Sequence, residues 1–398
     1  MNKTHKFPKR ARGQRASPGE GRALPADGKA ENSDPPQSYM LPSQGSSLSC
    51  TLITHRERDA QMKRVKLSFA GLEVEFADRE RGIQQVLEWA ERGTWRPVVV
   101  FGPEGCGKTA WLKQAAEILR EKGYEVVYVN PLQKEYLAHT GVKEVAGTLA
   151  EIAAKASGRV ELEIAYAAFN AARELVKLRK RKVAVLVDDA FQAIGLDRAA
   201  SYVKSLLGLI EYPPESYDRI VAIAATSEGV SRSEIGRHRW AELAPMWNMS
   251  REGFEELYEQ IPGPKPDIEE AWRLTGGNPW VLAQLHEAGW RSEKVVETLA
   301  EKKRLTLFAG SLSGEEREWL RQAVEDPDTL FARERIPLME KLAELNLIVD
   351  SVPRRESWLW IDQPPPEKDL ELGVGKRVAW QTPLHREAVK RALTEVGG

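Results

Sequence analysis

Cysteine is nearly absent from this 398-residue chain, which has two, Cys50 and Cys106. Two thiols cannot make a disulfide framework, and their scarcity fits a reducing compartment. The six histidines are scattered without ligand spacing, so no Cys/His cluster supports zinc. Net charge is also missing: 58 Lys and Arg face 59 Asp and Glu, leaving −1. That balance argues against a chain devoted to coating nucleic acid or an anionic membrane. No apolar run approaches the roughly 18–20 residues of a membrane span, and no signal-peptide pattern follows the start. Asparagine is scarce at seven residues, which with 29% charged residues leans toward a thermophile. The expectation is a cytoplasmic chain of two or three domains, given roughly 100–200 residues per domain. With 42% hydrophobic residues there is ample material for a core.

The neutral total conceals unlike regions. Residues 1–61 carry ten Lys/Arg against six Asp/Glu, with six prolines and seven serines. Lys3, Lys6, Lys9, Arg10, Arg12 and Arg15 occur near the start before any acid. Few large apolar residues are present, so this stretch cannot offset its ordering entropy and reads as a disordered basic tail. A nucleic-acid-touching or targeting arm is one alternative. Another is a gene-model extension, with Met62 as the true start.

Periodicity begins at Val65. Val65, Leu67 and Phe69 alternate, Ala70-Gly71 intervenes, and Leu72, Val74 and Phe76 alternate, which predicts a hairpin. Asp78 is the expected N-cap of a helix over about 79–92, with Ile83, Val86, Leu87 and Trp89 on its apolar side. Val98 to Phe101 form an apolar run of the kind buried on both faces.

The most informative stretch follows. Gly102-Pro103-Glu104-Gly105-Cys106-Gly107-Lys108-Thr109 is G-x-x-x-x-G-K-[ST] in full, after a strand and before the helical pattern that Ala110 and Trp111 continue. The glycines let the backbone curl so that its N–H groups face phosphate oxygens. The helix starting near Lys108 adds its positive end. Lys108 suits the β and γ phosphates of ATP, and the Thr109 hydroxyl suits Mg²⁺. Cys106 is a small filler within the loop, although a thiol there has the surroundings that depress a pKa.

A phosphate cradle needs a carboxylate on the metal side. After a strand over Tyr124 to Val129 and a helical stretch over about 143–178, Val183 to Val187 lead into Asp188-Asp189. This is a Walker B pattern: Asp188 goes to Mg²⁺ and Asp189 to the attacking water. Asp189 is a methylene shorter than the Glu many such ATPases use, which makes it an imperfect base. The basic run Lys177 to Lys182 is read as favourable charge at a helix C-terminus. A further strand, Arg219 to Ala225, ends at Thr226-Ser227, at the sheet edge where ligands bind. Either residue is a candidate γ-phosphate sensor or a plain strand-end cap. A last short strand near Trp240 to Leu243 follows Arg237 and Arg239. Arg237, or else Arg239, is the candidate for stabilising transition-state charge, in cis or across an oligomer interface.

These elements resemble the P-loop ATPases that insert a strand between Walker A and Walker B, the grouping of AAA+ and STAND proteins. Phe76-Ala77-Asp78-Arg79-Glu80 is similar to the F-x-[DG]-R-E box of archaeal STAND-type ATPases, which lies beside the nucleotide base. Gly276-Gly277-Asn278-Pro279 is similar to their G-x-P lid segment. There the proline approaches the nucleotide, which makes Phe76, Arg79 and Pro279 candidate binding residues. Locally, Gly276-Gly277 ends one helix, Asn278 caps the next and Pro279 fits its first position. Trp280 stands where an origin-recognition AAA+ protein would usually place a sensor arginine. Residues 311–398 alternate helices around 313–325 and 335–346 with Leu347–Val349 and Trp358–Ile361, then Val378–Trp380 and a helix over about 383–394. Helices followed by a two- or three-stranded ribbon built from these apolar runs resemble a winged helix. This region holds 13 Lys/Arg and 17 Asp/Glu, so a protein- or self-contacting module is favoured over a DNA reader. Trp358, Trp360 and Trp380 are expected to pack in core and wing.

The resulting expectation is an α/β, ASCE/AAA+-like P-loop fold with about five strands. The tail covers residues 1–61, the ATPase domain 62–248, the helical lid 249–308 and a winged-helix-like domain 309–398. Its function would be Mg²⁺-dependent binding and slow hydrolysis of ATP as a conformational switch. The alternative is a DNA-associated AAA+ ATPase of the replication or transposition loader type.

Overall fold

A computed structural model describes residues 62–154, 160–226 and 234–397. The tail and Ser227 lie outside the described residues. The hairpin forms as expected from β1 (Lys66–Phe69) and β2 (Leu72–Glu75), with Ala70 (φ 47°) and Gly71 (φ 78°) as its left-handed turn. Helix α1 (Glu80–Arg92) turns Ile83, Val86, Trp89 and Ala90 inward. Strand β3 (Val98–Phe101) is buried throughout and feeds α2 (Lys108–Glu121). Then come β4 (Glu125–Asn130), β5 (Glu135–His139), α3 (Lys143–Ala154) and α4 (Val160–Lys177). The next elements are β6 (Lys182–Asp188), α5 (Ala190–Ile194), α6 (Leu196–Glu211), β7 (Arg219–Thr226) and β8 (Glu242–Pro245).

The sheet order is β5-β4-β6-β7-β3-β8. Five strands are parallel, matching expectation, and β5 adds an antiparallel sixth beside β4. The short edge strand escaped the sequence pattern because it is only half buried and lacks a sustained apolar face. β4 intervenes in sequence between the loop strand and the Asp188 strand, but in the sheet β7 lies between β3 and β6. Helices α1 and α2 cover one face, with Trp111, Leu112, Ile118 and Leu119 packed on Val98, Val100, Leu186 and Ile223. Helices α4 and α6 cover the other, over Val185, Val187 and Ala222. Strands sealed on both faces explain the unbroken apolar runs.

Beyond β8 the chain is helical: α7 (Arg251–Glu259), α8 (Ile268–Thr275), α9 (Pro279–Glu287), α10 (Ser292–Lys302) and α11 (Leu305–Ser311). The lid corner is built as its sequence implies. Gly276 closes α8 in a left-handed conformation, the Asn278 side chain accepts from Val281 N, and Pro279 opens α9. α12 (Gly314–Glu325), α13 (Ile336–Glu344), β9 (Ile348–Val349), β10 (Ala379–Trp380) and α14 (Pro383–Gly397) complete the chain. One apolar core runs from Val281, Leu285 and Leu299 to Leu320, Leu342, Trp380 and Leu393, joining lid helices to C-terminal ones.

Two C-terminal expectations are corrected. Trp358 to Ile361 is not a ribbon strand: β9 pairs with β10 instead, Ser357–Leu359 is a 3-10 turn, and Ile361 bridges in parallel to Met246 at the central sheet. Trp360 and Trp380 are buried as expected, whereas Trp358 is 68% exposed because the 3-10 turn rotates it outward.

Candidate functional site

A cleft of about 750 Å³ opens between the carboxyl ends of the strands, the β1–β2 hairpin and the lid corner. It is lined by Phe76, Arg79, the loop from Glu104 to Ala110, Asp189 and Pro279, together with Trp280. The structure thus brings most of the candidate residues together. Gly102, Pro103 and Asp188 lie behind that lining, and Arg237 and Thr226 do not reach it. Arg237 pairs with Glu234 at 2.9 Å and its side chain is 70% exposed. Thr226 is fully buried at the end of β7, where it is in register with Phe101.

The loop is held tightly. A Cβ at Gly102 would sit 1.9 Å from the Met246 carbonyl oxygen, so only glycine lets the chain leave β3 beside the residue after β8. Gly105 (φ +75°) faces Trp280 so closely that a Cβ would lie 2.2 Å from the Trp280 Cβ. Lys108 is buried, and its ammonium donates to the Gly102 and Pro103 carbonyls at 3.0 and 2.8 Å. Four residues distant in sequence bind the loop backbone. Arg79 Nη2 donates to Cys106 O (2.7 Å), Asn278 Nδ2 donates to Glu104 O (2.9 Å), Trp280 N donates to Gly105 O (3.3 Å), and Glu104 N donates to Gln381 Oε1 (2.7 Å).

Behind the loop stands Asp188, 1% exposed at the end of β6. Its Oδ2 accepts from Tyr128 OH at 3.3 Å and Asn130 Nδ2 at 3.1 Å, while Oδ1 is buried without a hydrogen-bond partner. Burial first, and then the charge of Asp189, push its carboxyl upward; the Thr109 hydroxyl, Lys108 and Asn130 oppose that. Tyr128 and Asn130 went unrecognised from sequence. Their signal was present in Tyr128-Val129-Asn130, whose alternate residues end the strand that pairs with β6. Asp189 has a left-handed backbone (φ 47°) at the N-cap position of α5, where its side chain makes no capping bond.

Asp78 requires correction. Arg79 occupies the N-cap position of α1 without a side-chain capping bond, and both Asp78 (φ 65°) and Arg79 (φ 70°) are left-handed. The Asp78 carboxylate instead accepts from Ser250 N at 3.1 Å and Ser250 Oγ at 3.2 Å, and Ser250 is the N-cap of α7. A tertiary partner therefore took the carboxylate that local capping would have used. A Cβ at Gly253 would lie 2.0 Å from the Asp78 Cγ, so this approach depends on glycine.

A glycine-rich loop between a buried strand and a helix, with an acidic strand end two sheet positions away, defines a P-loop nucleotide-binding protein. Residues 76–285 match the model of an ATPase domain found predominantly in Archaea. The chain belongs to that family and is an ATPase. No curated protein matches it. Among solved structures it is similar to the Aeropyrum pernix ORC1 protein in complex with DNA, at 16% identity over 80% of this chain and 92% of that one (TM-score 0.34). The Aeropyrum pernix ORC2 protein in ADPNP–ADP complexes is 13% identical over 79% and 94% (TM-score 0.35). AMPPCP-bound DnaA from Aquifex aeolicus is 18% identical over 65% and 75% (TM-score 0.31). Among the described residues no helix is long and apolar enough to cross a membrane.

Proposed function

We propose that the protein binds ATP with Mg²⁺ in this cleft and hydrolyses it slowly, as a STAND-type switch. Its working parts are an ATPase domain (62–248), a helical lid (249–308) and a winged-helix module (309–398), preceded by a tail at 1–61. The observation that carries the reading is the convergence of Lys108 and Thr109, in the cleft lining beside Pro279 and Trp280, with Asp188 directly behind them. Lys108 holds the β and γ phosphates, exchanging its loop carbonyls for anionic oxygens. Asp188 and Thr109 are the residues to hold Mg²⁺: a buried carboxylate oxygen without a partner, raised in pKa by burial, suits a cation. Bound there, Mg²⁺ supplies charge neutralisation to the phosphates. Asp189, at the cleft wall, accepts the proton of the attacking water. Phe76 offers an apolar surface to the base, and Pro279 carries the lid toward the phosphates. Arg237, exposed and away from the cleft, acts in this reading only across an interface between copies.

Phosphate release measured with and without Mg²⁺, alongside light scattering for self-association, tests the proposal. Turnover that requires Mg²⁺ and is lost in Lys108→Ala is the expected result. Nucleotide binding unaffected by Lys108→Ala would sink it.

A further inference from the structure

Arg79 is 2% exposed, and its two terminal nitrogens reach four groups. Nη2 donates to the carbonyls of Cys106 (2.7 Å) and Trp247 (2.9 Å), and Nη1 donates to the Asn248 carbonyl (3.4 Å) and to Asp362 Oδ2 (3.1 Å). Three of these partners are neutral. The carboxylate comes from 283 residues further along the chain, on a side chain only 1% exposed. A buried ion pair rarely adds net stability, because desolvation consumes the attraction; its usual value is in fixing geometry. Here Asp362 also leaves Oδ1 buried without a hydrogen-bond partner, an added cost.

The segment carrying Asp362 is also docked by bonds that do not involve its charge. Ile361 N donates to Pro245 O (2.8 Å), Gln85 Nε2 donates to Trp360 O (2.8 Å), and Asp362 N donates to Gln85 Oε1 (3.0 Å). These contacts leave the carboxylate free to serve Arg79. A second side chain of the same C-terminal region, Gln381, accepts directly from Glu104 N in the loop.

We propose that the C-terminal region positions the phosphate loop through two side chains: Asp362, acting through Arg79, and Gln381, acting on Glu104. Asp362 orients the guanidinium, which turns the Cys106 carbonyl toward Arg79. In a planar trans peptide the N–H of Gly107 then points the opposite way, held for an anion on the other side of the loop. Asp362 is a positioning residue and touches no nucleotide. The proposal rests on the reading of the cleft as the ATP site.

The test uses the full chain in a Cys50→Ser background, where Cys106 is the sole cysteine. Cys106 is fully buried in the loop, so its reaction with a thiol reagent reports loop geometry well below the melting temperature. Asp362→Asn keeps the side-chain shape and removes the charge. The expected result is a folded protein whose ATP affinity falls about tenfold, roughly the 1.4 kcal/mol of one charge-assisted bond. Cys106 should react faster in that variant and be protected again by ATP. A side chain with only a structural role would lower the melting temperature without changing thiol reactivity. Unchanged affinity and unchanged Cys106 reactivity in folded Asp362→Asn overturn the proposal. If that variant does not fold, Gln381→Leu carries the same test, and unchanged values there overturn it equally. Failure of the parent protein itself to bind ATP would instead overturn the reading of the site.

Discussion

The two walls of the cleft are built in opposite ways. On the sheet side, Gly102 to Gly107 make the loop between β3 and α2, Lys108 and Thr109 open α2, and Asp188 ends β6 with Asp189 next to it. On the other side, Phe76, Arg79 and Trp280 come from a hairpin edge and a lid corner, while Asn278 and Gln381 bind the loop backbone from outside the lining. The sheet side carries Lys108, Asp188 and Asp189, whereas the opposite side grips the loop backbone through the hydrogen bonds of Asn278, Trp280 and Gln381 and through the Arg79 guanidinium, which is itself paired with buried Asp362. In the proposed function the chemistry falls to residues at the ends of parallel strands, and the positioning of the loop to residues far from it in sequence.

The contrast can be broken most decisively at the sheet wall. Asp189→Asn should retain nucleotide binding and lose about 10²–10⁴-fold in turnover, the usual span for a general base. Phosphate release at saturating ATP checks this, and unchanged turnover would remove Asp189 from its role. Lys108→Ala should weaken ATP binding about a hundredfold, since a buried charge-assisted donor is lost; calorimetric titration measures it. Asp188→Asn should separate function from stability. Burial and Asp189 hold this carboxyl above its ordinary range, so the charged form costs the folded, nucleotide-free protein. The neutral amide should raise stability by about 1–3 kcal/mol while abolishing Mg²⁺-dependent turnover. A lower melting temperature for the nucleotide-free variant would contradict that account.

The C-terminal region that supplies Gln381 should show itself through pH. His385, at the start of α14, is 1% exposed, with Thr382 Oγ1 2.8 Å from its Nδ1. Burial, and secondarily the charge of Lys303, lower its pKa from 6.5 to about 3. The unfolded chain therefore binds a proton between these values that the folded chain refuses. Stability should fall as pH drops below 6.5, by at most about 1.4 kcal/mol per pH unit, and level off near 3. Denaturant melts across that window check it, and His385→Gln should flatten the slope. An unaltered slope would show that other groups set the acid limit.

The ease of reading followed the same division. The loop motif, the Asp188 strand and the lid corner were legible because each depends on neighbours within a few residues, where backbone conformation and residue type are tightly coupled. Asp78 misled because an aspartate before a helix usually caps it, yet here Ser250 offered its carboxylate two donors from the lid. Tyr128 and Asn130 were overlooked because their role depends on β4 lying beside β6. Trp358 and Ile361 were read as strand residues, but the segment spends its backbone on a 3-10 turn and a bridge to Met246.

By itself the sequence determined the phosphate loop, the acidic strand end and the caps of the lid corner, because short-range geometry and residue chemistry fix them. Only the tertiary structure decided which strand lies between the two motifs, that Asp78 serves the lid, and that Asp362 and Gln381 reach the loop. Those pairings arise from chain closure over hundreds of residues, where a buried charge or amide finds a partner that no local pattern records.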